Sequence, residues 1–287
     1  MSDYTIPQHW AHYSAADHAV WKTLFERQTA LLPQLACREF VEGMRALPLS
    51  AEVIPDFAAL NEVLKPRTGW QVVAVPGLVP DEVFFNHLAN RRFPSGNFIR
   101  GADQLDYLQE PDVFHDVFGH VPMLMHPVMA DFIQLYGQAG LRAQRIGKLT
   151  ELARVYWYTV EFGLVKEQVQ CASGVEEALR IYGAGIASSF TESGFAVHSA
   201  SPHRIGFDLE RVMRTRYRID DFQECYFVLD SLNDLLDLAR IDFDPVYERL
   251  NSGPTYAPGD VLPGDKVFQR GDGGYARSHK PVSACVE

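Results

Sequence analysis

No uninterrupted apolar stretch in this chain reaches the ~18–20 residues needed to cross a bilayer. Its first residues, MSDYTIPQHW, lack the basic stretch and apolar run of a secretory leader. Cysteine is sparse: Cys37, Cys171, Cys225 and Cys285 lie far apart with no CxxC pair, which excludes a zinc ribbon or a thioredoxin-type motif. Reduced thiols in a cytoplasmic protein are expected instead. Positive charge is in deficit, with 26 Lys and Arg against 37 Asp and Glu and a formal charge of −11. Such a chain repels phosphate backbones, so nucleic acid is not an expected partner; with no apolar span, neither is a membrane. GxGxxG, Walker and GxSxG loops are missing. Gly183-Ala-Gly185 lacks the third glycine and the preceding strand of a phosphate loop, so it is assigned no phosphate role. No repeat or low-complexity block interrupts the sequence.

What is present is a hydrophobic fraction of 47% over 287 residues, enough to bury a catalytic pocket in a dry core. The pattern is mainly α with a few short β-strands in a single domain. Ser14 is placed to cap a helix running to about Gln34, and a second helix is expected from Pro55 to Leu64, stopped by Pro66 and Gly69. Trp70–Val75 reads as a strand, Asp81–Asn90 as a helix, and Asn97–Arg100 as a short extended piece. Pro111 marks a helix start. Further helices are expected near 127–145, 149–168, 175–182, 207–215 and 230–250, with a strand at 222–229. Residues 1–251 form the expected catalytic domain. Residues 252–287 are rich in Gly and Pro and read as loops, a hairpin or a tail.

The sharpest segment is Glu110-Pro-Asp-Val-Phe-His115-Asp-Val-Phe-Gly-His120-Val-Pro122. On a regular α-helix, residues five apart point about 140° away from each other. A turn at Gly119, with Pro122 discouraging continuation, would bring His120 back towards His115. Without such a turn the pair is two ordinary histidines near a helix end. The third candidate is Glu161, a carboxylate inside the apolar, aromatic run Val155–Val165. A buried carboxylate needs a cation or a proton; Arg154, Lys166 or a metal would each serve. Two imidazoles and one carboxylate suit an iron(II) enzyme with open positions. They equally suit a zinc hydrolase with one bound water, and a non-catalytic binding protein stays open as well.

These segments resemble a known family. EPDVFHDVFGHVP, VYWYTVEFGL and YGAGIASSF are similar to the pterin-dependent aromatic amino acid hydroxylases. So are HYSAADHAVWKTLFERQ, IPDFAALNEVLKPRTGW, VAVPGLVPDEVFFNHLANRRF and YFVLDSLNDLLDLAR, so that the resemblance spans residues 13–245. It is nearest to the bacterial members that consist of the catalytic domain alone. It implies a monooxygenase that hydroxylates L-phenylalanine to L-tyrosine with O2, an iron(II) ion and a tetrahydropterin. His115, His120 and Glu161 match the iron ligands. Arg100 matches the clamp for the substrate carboxylate, helped by Ser188. Pro111, Trp157 and Phe162 match the slot for the ring, and Glu110 matches an acid bordering the iron. Val228 matches a position that is apolar in phenylalanine-specific members, where a ring hydroxyl would lose its hydrogen bonds. Phe84 matches the ring that stacks on the pterin, with Val75, Gly77, Val79, Ala153 and Tyr156 as other wall positions. Asp116 stands where animal members carry Glu. Leu108-Gln109 replaces their Thr-Pro, removing one hydroxyl from the substrate's head-group contacts. No regulatory domain or tetramerising helix matches, so a monomer without phenylalanine-triggered allostery is expected.

Overall fold

Ser14 does cap the first long helix. Its hydroxyl accepts from the Asp17 amide, the Asp17 carboxylate accepts from the Ser14 amide, and the helix runs Ala15–Leu35. Such a reciprocal cap satisfies two donors that the first turn would otherwise leave open. The computed structural model describes residues 3–106 and 110–275. Leu108 and Gln109, which replace the family's Thr-Pro, therefore lie outside the described residues, as do Cys285 and the last part of the Gly- and Pro-rich segment. Among the described cysteines, Cys37, Cys171 and Cys225 are free thiols. Among the described residues, no helix is long and apolar enough to cross a membrane.

A short helix, Arg38–Ala46, follows, and the helix expected over 55–64 spans Phe57–Thr68: it starts at the Asp56 cap and continues through Pro66, and Gly69, at φ 79°, ends it. The expectation that Pro66 stops it was thus wrong, because a proline in a last turn removes only one hydrogen bond. Strand β1 (Gln71–Val75) pairs in parallel with β2 (Arg92–Gly96), the crossover between them containing helix Asp81–Ala89. The extended piece expected at 97–100 lies earlier, as β2. A second sheet holds β3 (Leu164–Cys171), β4 (Gly174–Ile181), β5 (His203–Gly206), β6 (Cys225–Leu229) and β7 (Val267–Gln269), in the order β4-β3-β6-β5-β7. β3 and β4 form an antiparallel hairpin where helices were expected to cover 149–168 and 175–182. The helix expected over 230–250 is two short ones, Asp234–Ala239 and Phe243–Leu250.

The core is continuous and aromatic around segment 114–120. Phe114 and Phe118 are fully buried and stack at 4.7 Å, and Trp21 of the first helix meets Phe114 edge-on at 5.3 Å. Burying each Phe contributes about 1.5–3 kcal/mol, so this segment is anchored by its apolar face while its polar face is free to hold a site.

Candidate active site

His115 and His120 do face the same point, but not by the expected route. Gly119 is not among the residues with positive φ, and the chain does not turn back there. Instead Phe114–His120 is a π-helix that continues straight into helix Val121–Leu124, with Pro122 in its first turn. In a π-helix the hydrogen bonds run from residue i to i+5, so residue i+5 lies over residue i as i+4 does in an α-helix. A spacing of five, which separates two side chains on an α-helix, aligns them here. Gly119 serves by being small: a Cβ there would sit 2.9 Å from the Ala184 carbonyl oxygen and 3.2 Å from the Ala184 Cβ.

Glu161 closes a second π-helix, Trp157–Glu161, whose end is marked by the Phe162 amide donating to the Trp157 carbonyl at 2.8 Å. His120 Nε2 lies 3.2 Å from His115 Nε2 and 3.2 Å from Glu161 Oε1, and His115 Nε2 lies 3.6 Å from Glu161 Oε2. One potential ligand atom from each of the three residues lies within 4.8 Å of the other two. Adjacent ligand atoms bonded at about 2.1 Å to one ion stand about 3 Å apart, so the separations fit a shared cation.

Hydrogen bonding sets the tautomer of His115. The Ser188 hydroxyl donates to the Ala184 carbonyl at 2.8 Å and lies 2.9 Å from His115 Nδ1. With its own proton committed, Ser188 Oγ accepts, so the His115 proton sits on Nδ1 and the Nε2 lone pair faces His120 and Glu161. This is the form a metal requires. Burial drives the His115 pKa down to about 4, which keeps the imidazole neutral. Burial works against the Glu161 charge, yet the two imidazoles outweigh it and hold the carboxyl below its ordinary value. The His120 ring is held by the Phe93 ring at 4.8 Å, and its Nδ1 has no partner among the described residues.

Two cavities meet at this cluster, and Pro111, His115 and Glu161 belong to both. The first, about 250 Å³, is lined by Val75, Gly77, Val79, Phe84, Asp116 and Tyr156, among others. Phe84 stands edge-on to Tyr156 at 6.0 Å. Asp116 is buried and accepts from the Gly96 amide at 2.8 Å; desolvation pushes its carboxyl up to about 7. Ala153 lies one turn before Tyr156 but not among the lining residues; its carbonyl accepts the Trp157 amide. The second cavity, about 550 Å³, is lined by Arg100, Glu110, Trp157, Phe162 and Ser188 and by the 219–223 loop. The Trp157 and Phe162 rings lie 4.6 Å apart along its wall.

Arg100 is buried and forked onto Asp112, with Nε donating at 2.8 Å and Nη2 at 2.9 Å, rather than onto the nearby Asp103 or Asp106. Desolvation opposes the Asp112 charge, but Arg100 outweighs it and keeps this carboxyl below its usual range. Asp112 also accepts from the His115 amide at 3.0 Å, so one carboxylate ties the guanidinium to the start of the ligand segment. Sequence reading missed this link, although Asp112, three residues before His115, is the spacing of a helix cap. Glu110 reaches the other cavity's rim, accepting from the Leu78 amide at 3.2 Å. Val228 is the exception among the residues expected to meet the substrate. It is buried in β6, paired with Leu164 and Gly206, and faces a separate depression of about 630 Å³ with Arg211 and Tyr256. That depression is larger than either site cavity but holds none of the three converging residues.

The chain matches the biopterin-dependent aromatic amino acid hydroxylase family over residues 3–243, and it belongs to that family of iron-dependent monooxygenases. It is 59% identical to phenylalanine-4-hydroxylase of Ralstonia nicotianae over 94% of this chain and 83% of the relative. The corresponding protein of Caulobacter vibrioides is also 59% identical, over 96% and 90%. The cobalt-bound crystal structure of phenylalanine hydroxylase from Chromobacterium violaceum superposes with a TM-score of 0.87 at 55% identity, covering 93% of both chains. The iron- and phenylalanine-bound structure from that organism gives 0.85 at 52%, with the same coverage.

Proposed function

We propose that the chain is a phenylalanine 4-monooxygenase, converting L-phenylalanine to L-tyrosine with O2 and a tetrahydropterin. The observation that carries this reading is the meeting of two cavities at one three-ligand centre, His115, His120 and Glu161. These three residues would hold iron(II), and the set leaves open coordination positions, as oxygen-using iron enzymes need. When bound, the iron and the pterin supply oxygen activation and the reducing electrons.

The residues around them bind, orient and exclude water. Arg100 spends Nε and part of Nη2 on Asp112 and one Nη1 proton on the Leu105 carbonyl. N–H groups on both Nη atoms then remain for the substrate carboxylate. Trp157, Phe162 and Pro111 offer an apolar wall on which a phenyl ring gains contact and a ring hydroxyl would lose hydrogen bonds. This wall, rather than Val228, supports phenylalanine as the substrate. Phe84 and Tyr156 present ring faces and edges to the pterin side, and Val75, Gly77 and Val79 bring backbone groups there. Because the two cavities meet at the centre, sharing His115, Glu161 and Pro111, the two organic reactants can be held on opposite sides of it.

We read the protein as a cytoplasmic monomer. Its large exposed apolar side chains, among them Leu78, Ile146 and Val175, are spread along the sequence. The deciding assay follows tyrosine formation from phenylalanine with iron(II) and the tetrahydropterin each omitted in turn. Both omissions should abolish product, and turnover that persists without the pterin refutes the reading.

A further inference from the structure

The family match ends at residue 243, yet the chain beyond it returns to the substrate-side cavity. β7 adds to the sheet beside β5. The segment that follows is sewn to the 199–206 stretch. Gly271 donates to His203 Nδ1 at 2.9 Å, Asp272 to the Ala200 carbonyl at 3.0 Å, and Gly273 to the Ser201 carbonyl at 3.1 Å. The Tyr275 amide donates to Ser201 Oγ at 2.8 Å. These bonds deliver the Tyr275 ring onto Phe222, stacked at 5.1 Å, with its edge on Phe195 at 5.2 Å. Tyr275 and Phe222 both line the cavity that holds Trp157 and Arg100.

A line of hydrogen bonds runs inward from there. The Tyr275 hydroxyl donates to Asp221 Oδ1 at 2.7 Å, and Asp221 Oδ2 accepts from Arg218 at 3.2 Å. The Gln223 side-chain amide donates to the carbonyls of Arg218 and Asp221, at 3.0 and 3.3 Å. Both its N–H groups are thereby committed, so its oxygen must point the other way, where it accepts from the Trp157 indole at 2.9 Å. Gln223 is 2% exposed, so the acceptor of the indole is held inside the protein. The Trp157 ring, stacked on Tyr217 at 4.3 Å, is thus also tied through its indole N–H to the 218–223 loop, and the loop is braced from outside by Tyr275.

We propose that Tyr275 is a positioning residue for the aromatic substrate, fixing the 218–223 loop and, through Gln223, the Trp157 ring against which that substrate lies. This rests on the reading that the cavity receives the amino acid. The C-terminal segment is then part of the substrate site rather than an appendage, and it acts on the amino acid without touching the pterin side.

The test uses the full-length chain with Tyr275→Phe, Tyr275→Ala, Gln223→Leu and the Tyr275→Phe/Gln223→Leu double variant. L-phenylalanine affinity is measured by calorimetry. Steady-state KM is measured for phenylalanine and for the pterin, together with the fraction of pterin oxidised that yields tyrosine. Tyr275→Phe should raise the phenylalanine Kd and KM about three- to tenfold, the size of one lost hydrogen bond. It should lower the tyrosine yield per pterin and leave the pterin KM unchanged. The double variant should be little worse than Gln223→Leu alone, because both lesions cut the same line. Tyr275→Ala, which also removes the ring, should be more severe. Should it fail to fold, Tyr275→Phe, one oxygen atom smaller than the natural residue, still decides. Unchanged phenylalanine affinity and product yield in Tyr275→Phe, whatever its melting temperature, overturns the inference, as does full additivity with Gln223→Leu. Failure of the unsubstituted protein to turn over phenylalanine would instead overturn the functional reading beneath it.

Discussion

Replacing Ser188 with Ala tests the tautomer argument without touching any of the three converging side chains. Among the described residues, the Ser188 hydroxyl is the only hydrogen-bond partner of His115 Nδ1, at 2.9 Å. Its loss removes one hydrogen bond, about 1 kcal/mol, and frees the His115 proton to move to Nε2, a few tenths more. Together these predict a weakening of iron(II) binding by about tenfold, the low end of the ~10–100-fold seen when a ligand histidine loses its outer partner. Folding should suffer little. The Ala184 carbonyl that accepts from the Ser188 hydroxyl also accepts from the Ser188 amide at 2.9 Å, so no buried acceptor is orphaned. The assay is iron(II) titration against a chelating dye, without substrate or pterin, beside a urea unfolding curve. Iron affinity within twofold of the natural protein would refute the assignment of the His115 proton to Nδ1. A large loss of stability would show that the hydroxyl serves packing instead.

Arg100→Lys keeps the charge but loses the planar fork, so the phenylalanine KM should rise at least about tenfold while the pterin KM holds; equal changes in both would contradict a substrate-side clamp. Gly119→Ala places a methyl 2.9 Å from the Ala184 carbonyl oxygen, and should cost about 1–3 kcal/mol and reduce iron content. Urea unfolding and metal analysis check this, and wild-type values in both would remove the packing argument. Glu192 is buried, and desolvation raises its carboxyl to about 7, against the hydrogen bonds it accepts from Tyr226 and the Gln223 amide. The folded chain therefore keeps this proton while the unfolded chain has lost it, so stability should fall as pH rises from about 4.5 through about 7, by up to about 3 kcal/mol. Relative to the natural protein, Glu192→Gln should gain stability between pH 5 and pH 8; a difference independent of pH would contradict the raised value.

The chemistry of this site was more legible in the sequence than its geometry. His115, His120 and Glu161 stand out because imidazoles and a carboxylate are costly in an apolar run unless something binds them. What aligns them is a widened helix, and no residue type announces one. The Gly119 and Pro122 signals were read as a break, whereas the first permits a close approach and the second sits in the first turn of the next helix. The β3–β4 hairpin was misread for a different reason. Its Glu, Lys, Leu and Ala residues favour helix locally, but most of the hairpin faces solvent, and β3 is held by pairing with β6. Tertiary pairing overrides a propensity of a few tenths of a kcal/mol per residue.

The part least legible in the sequence was the segment after residue 251. Gly and Pro leave no periodicity from which to infer contacts, and nothing in the segment's own residues indicates that Tyr275 would reach Asp221. Only the fold reveals this, because β5 lies between β6 and β7 and so carries the returning chain to the edge of the substrate-side cavity. A wall built partly from sequence-distant residues has a consequence for specificity. On the proposed assignment, substitutions after residue 251 can alter the fit of the ring while His115, His120, Glu161, Arg100 and the pterin-side residues stay as they are. Relatives that share those parts can then differ in substrate tolerance through a segment their common motifs do not include.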